Sequence, residues 1–121
     1  MKDMFNECKS LIELNVSSFD TSNVTNMSSM FRACGSLTEL DLSSFYIPKV
    51  KTTFFMFNGC WELKHLNISN FNPSNARSLC SMFSCCNSLV NLNISHWDTS
   101  KVECMDGLFY DCYELTEIDL S

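Results

Sequence analysis

The chain has 121 residues, with 14 acidic and 8 basic side chains for a formal charge of −6. That length limits it to one domain, and a hydrophobic content of 45% suits a packed core rather than a disordered segment. An acidic balance without a basic stripe excludes a phosphate-backbone partner and disfavours an anionic membrane surface. No apolar run approaches the roughly 18 residues needed to span a bilayer, and the start MKDMFNECKS lacks the apolar core of a signal peptide.

Read in chain order, the first element is the pair Met4-Phe5. It returns as Met30-Phe31, Met56-Phe57, Met82-Phe83 and Leu108-Phe109, each 26 residues after the last. Three residues beyond each Phe stand Cys8, Cys34, Cys60, Cys86 and Cys112, followed by Leu11, Leu37, Leu63, Leu89 and Leu115. Next come Leu14, Leu40, Leu66, Leu92 and Ile118, then Val16, Leu42, Ile68, Ile94 and Leu120. A serine closes each segment, and Phe19, Phe45, Phe71 or Trp97 follows in each complete copy. So many columns in one register mark a repeat architecture of about four and a half units.

The alternating apolar positions predict short strands over 13–17, 39–43, 65–69, 91–95 and 117–121. Asp20-Thr21-Ser22 and Asp98-Thr99-Ser100 are residue types that cap helix starts, and Pro48 and Pro73 suit a first helical turn. Val24, Met27, Met30 and Phe31 then lie on one helical face, which predicts helices over 23–32, 49–58, 75–84 and 101–110. No unit buries its face alone, so neighbours must stack. The expected fold is α/β: a right-handed leucine-rich-repeat β/α solenoid over 1–121, with a five-stranded parallel sheet and short helices opposite. Met1 shares the column of Met27 and Met105, and neither end carries an atypical polar unit. This reads as a fragment of a longer array, with end-to-end stacking on other copies as the alternative.

The pattern MFxxCxSLxxLxLSxFDTSxVxxM resembles the BspA-like leucine-rich repeats of bacterial, mycoplasmal and protozoan surface proteins and lipoproteins, over essentially the whole chain. The resemblance implies a cell-surface or secreted recognition or adhesion module. It implies no shared enzymatic activity and supplies no motif of binding residues to carry over. Cys80, Cys85 and Cys104 stand outside the repeat column and depart from the family pattern.

The five column cysteines should point inward and pack as small hydrophobes, with disulfides between stacked neighbours as the competing reading. Cys80 and Cys104 lie in adjacent units, where a disulfide would form in an oxidising compartment. Zinc prefers paired C-x-x-C spacing, which Cys85-Cys86 does not offer, so no metal is expected. His65 and His96 occupy variable surface columns and read as solvated, without a thiol partner. No phosphate-binding glycine loop and no Ser-His-Asp order occur, so neither catalysis nor a cofactor is expected. Asn15, Asn23, Asn26, Asn67 and Asn93 begin Asn-x-Ser/Thr motifs, which matter only in a eukaryotic secretory pathway.

The candidate site is the outward strand face. Alternation predicts one row of Glu13, Glu39, His65, Asn91 and Glu117, beside a second of Asn15, Asp41, Asn67, Asn93 and Asp119. Such ladders of carboxylates and carboxamides would suit a cationic protein patch or a glycan on a host or neighbouring cell. The competing reading is a solvated face on a passive spacer.

Overall fold

In the computed structural model, which describes residues 1–120, the repeat is a stack of circuits joined at 26-residue intervals. Four three-residue strands occur: β1 (Glu39–Asp41), β2 (His65–Asn67), β3 (Asn91–Asn93) and β4 (Glu117–Asp119). β1 pairs with β2 and β3 with β4, both parallel, as two separate two-stranded sheets. This corrects the expected five-stranded sheet. Residues 13–16 form no strand, the β2–β3 junction is unpaired, and Ser121 of the last expected strand lies outside the described residues.

The helices expected over 23–32, 49–58, 75–84 and 101–110 are absent among the described residues. In their place is a run of tight turns in which alternate peptide units lie along the stack. In the second circuit Met27, Ser29, Phe31 and Ala33 donate N–H to the carbonyls of Thr52, Phe54, Met56 and Asn58. The intervening Met30, Arg32 and Cys34 donate three residues back, to Met27, Ser29 and Phe31. The bonds of Ser29, Phe31 and Ala33 have counterparts at all four junctions, from Asp3→Ser28 at one end to Cys85→Tyr110 at the other. Parallel bridges Asn26–Thr52–Ser78–Cys104 begin the same flank.

Spacing explains why the turns replace a helix. Parallel strands stack about 4.8 Å apart, whereas packed helices need about 8–10 Å between axes. A helical flank would splay the circuits, while a hydrogen-bonded turn ladder has the pitch of the strand flank. The turns require two left-handed positions per circuit: Asp3, Ser29, Phe55, Ser81 and Gly107, then Glu7, Ala33, Gly59, Cys85 and Asp111. Apolar residues three, four and seven apart suit these successive turns as well as they suit a helix.

The residues expected to cap helices cap turns instead. Asp20 and Asp98 accept the N–H of Ser22 and Ser100 at 3.0 Å. Pro48 sits inside the turn closed by Val50 N–H to Ile47 carbonyl, and Pro73 supplies the carbonyl for Ala76.

The core lies between the flanks. Phe5, Phe31, Phe57, Phe83 and Phe109 form a continuous stack with centroids 5.4–5.7 Å apart and planes within 9°. Each such pair contributes about 0.5–1.5 kcal/mol beyond the area it buries. Phe45 and Phe71 are fully buried, and Trp97 continues their column against Phe71 and Phe83.

Candidate functional site

All ten residues expected on the outward face are exposed. Glu39 aligns with His65 and Asp41 with Asn67 in one sheet; Asn91 aligns with Glu117 and Asn93 with Asp119 in the other. The two rows therefore exist, interrupted at the β2–β3 junction. An open depression of about 630 Å³ lies along Glu13, Glu39, Asp41, His65, Asn67 and Asn91, floored by Leu14, Leu40 and Leu66. A second, of about 430 Å³, lies over the unpaired junction between Asn67 and Asn93.

The rows differ in what their side chains already do. Asn15 Oδ1 accepts the N–H of Ser17 at 3.0 Å, and Asp41 that of Ser43 at 2.8 Å. Asn67 takes Ser69 at 3.1 Å, and Asn93 takes both N–H and Oγ of Ser95 at 3.0 and 2.7 Å. These are Asx turns, which end β1, β2 and β3 and recur at Asn15 in the first circuit, the local bond that short Asn and Asp side chains form two residues ahead. The Ser43 N–H, helped by its hydroxyl, holds the Asp41 carboxyl below the usual carboxylate range. The signal lay in the N-x-S and D-x-S spacing, which also produces the glycosylation-like motifs at Asn15, Asn67 and Asn93.

By contrast, Glu13, Glu39, His65, Asn91 and Glu117 make no side-chain hydrogen bond or ion pair among the described residues. This row is exposed, periodic and uncommitted. His96, expected to be solvated, is exposed yet anchored: its Nε2 lies 3.1 Å from the carbonyls of both Ile68 and Phe71. It ties the fourth circuit to the third beside the gap between β2 and β3.

The cysteine column is structural in a specific way. Four of the five column thiols donate to the carbonyl of the Phe one circuit back: Cys34 to Phe5, Cys60 to Phe31, Cys86 to Phe57 and Cys112 to Phe83, at 3.1–3.2 Å. Burial pushes the Cys34 thiol up to about 11 and raises Cys60, Cys86 and Cys112 as well. A thiol that stays protonated is a poor nucleophile and a poor metal ligand. Cys80 and Cys104 are joined as a disulfide with Cα atoms 5.6 Å apart. Asp106 lies beside them, but sulfurs bonded to each other offer no thiolate to a metal.

Stacked circuits with one uncommitted polar row define a repeat protein whose accessible chemistry is a surface rather than a pocket. The chain belongs to the family described as Mycoplasma protein of unknown function, DUF285, whose model matches residues 1–66 and again 56–121. No curated protein and no solved structure matches it.

Proposed function

We propose that this chain is a non-enzymatic recognition module of a BspA-like surface protein, binding a protein or glycan through its outward strand row. The observation that carries the reading is the contrast between the rows. The Asx row is occupied by its own backbone, whereas Glu13, Glu39, His65 and Asn91 line the depression with their hydrogen-bonding capacity unspent. Extended faces of this kind, held rigid by stacked backbone, are where repeat proteins meet their partners. The cell-surface location is part of the same proposal and is supported by the resemblance to BspA-like repeats. Among the described residues no helix is long and apolar enough to cross a membrane.

The test is a binding screen of the folded chain against glycans and extracellular-matrix proteins, with two variants alongside. Glu39→Lys should abolish binding of a ligand that the parent retains. Asp41→Asn keeps the turn acceptor and should leave binding within about threefold, a shift under about 1 kcal/mol. Equal binding by Glu39→Lys and parent would remove the site. A second reading, a spacer within a longer surface array, is favoured by the Asx turns, which account for four of the ten polar side chains without a ligand. It predicts no partner in the same screen.

A further inference from the structure

We propose that reduction of the Cys80–Cys104 disulfide turns this part of the molecule into a binding site for a thiophilic divalent cation of the zinc type, held by the two thiolates and the Asp106 carboxylate. The three residues lie on the turn flank, apart from the outward strand row.

Nothing in the repeat asks for a disulfide here. Cys80 shares its column with Lys2, Ser28, Phe54 and Asp106, and Cys104 shares its own with Asn26, Thr52 and Ser78. Two junctions earlier the equivalent pair, again 24 residues apart, is Ser28 and Thr52, whose hydroxyl oxygens stand 3.3 Å from each other. That junction stacks without a covalent bond, so the axial hydrogen bonds hold the circuits together by themselves.

The backbones of the three residues are fixed whatever the sulfurs do. The carbonyls of Cys80, Cys104 and Asp106 accept the N–H groups of Phe55, Leu79 and Ser81 at 3.2, 2.9 and 2.9 Å. The Asp106 carboxylate makes no hydrogen bond or ion pair among the described residues, and one of its oxygens lies within 4.8 Å of both sulfurs. Ligand atoms around a tetrahedral zinc stand roughly 3.6–3.8 Å apart, given bonds of about 2.3 Å to sulfur and about 2.0–2.2 Å to oxygen. Parting of the sulfurs and a turn of the exposed Asp106 side chain reach that spacing.

The donor set selects the ion. Two thiolates and one carboxylate suit zinc and similar cations, whereas calcium and magnesium take oxygen alone. Three protein ligands leave a fourth position to water. The C-x-x-C spacing expected of zinc concerns neighbours along the chain; here the stacking of circuits supplies the adjacency. A dithiol reductant delivers two hydrogens to the sulfurs and closes its own disulfide, and the incoming ion then displaces both thiol protons to solvent.

The test is titration of the 121-residue chain with cobalt(II), whose thiolate complexes absorb in the near ultraviolet, followed by displacement with zinc. Reduction is by a trialkylphosphine, which takes its oxygen from water while the hydrogens go to the sulfurs, and which is removed before titration. The reduced parent should bind one cobalt per chain with that absorption, and the disulfide form should show none. Cys80→Ser with Cys104→Ser, which restores a hydroxyl pair like that of Ser28 and Thr52, should fold by circular dichroism and lose the absorption. Asp106→Asn should weaken cobalt binding by at least about tenfold, the low end of what losing even an outer partner of a ligand costs. Zinc should raise the denaturation midpoint of the reduced parent and leave that of the disulfide form unchanged. A folded reduced parent that takes up no cobalt overturns the proposal, as does one that is unfolded and stays unfolded with zinc. Absorption that persists in the double-serine variant assigns the ion to other thiols, and equal binding by Asp106→Asn removes the carboxylate; either result also overturns it.

Discussion

The two flanks of each circuit differ in a way that inverts the expectation from sequence. The strand flank carries the familiar alternating pattern, yet its sheet is broken into two pairs of three-residue strands. The turn flank looks helical in sequence, yet its axial hydrogen bonds run through every junction. It also carries the Phe stack, the thiol-to-carbonyl bonds and the disulfide. Continuity of the stack thus rests on the flank that reads as helix, while the other is left free to vary its outward row.

That contrast can be broken most directly in the core. Phe57→Ala, between Phe31 and Phe83, should cost about 3–5 kcal/mol in chemical denaturation. Leu66→Ala, half-buried over the strand gap, should cost less than half of that. Equal losses would mean the flanks share the load. Reducing the Cys80–Cys104 disulfide, which closes a 24-residue separation, should lower stability by about 2–4 kcal/mol, read as a denaturation midpoint with and without reductant.

The buried thiols sharpen the comparison through pH. Their folded values lie above the free-thiol value of about 8.5, so the unfolded chain loses its protons first as pH rises. Between that value and about 11 for Cys34, the folded state holds the extra proton, and stability should fall with increasing pH. Cys34→Ala with Cys60→Ala should flatten the slope of the denaturation midpoint over that window. The smallest effect has the most diagnostic sign. Ser29, with φ of 55°, sits left-handed, so Ser29→Gly should stabilise by up to about 1 kcal/mol. In a helix the same change would destabilise by about half that.

Much of the molecule was legible. The 26-residue period, the inward Leu, Phe, Met and Cys columns and the two outward rows all follow from residue type and register. The turn ladder was not. Spacings of three, four and seven are common to a helix and to turns closed every three residues, and Asp3, Ser29, Phe55, Ser81 and Gly107 share no chemistry announcing a left-handed backbone. Only Gly59 and Gly107 hinted at it. The Asx turns were visible as N-x-S spacing, but the same atoms equally suit a ligand row, and only their geometry separates the readings. Nothing in the repeat marks the β2–β3 junction as the place where pairing lapses.

The alternate peptide units that lie along the stack all point the same way. Each carries a dipole of about 3.5 D, and their aligned sum makes the turn flank electrically polar along its length. At the carbonyl pole Lys2 is offset by Asp3 and Glu7, whereas the N–H pole carries Asp106 and Asp111, so the charges suit the backbone field at that second end. Replacing Asp111 with lysine would lessen the chain's net charge and still set a cation against the positive pole.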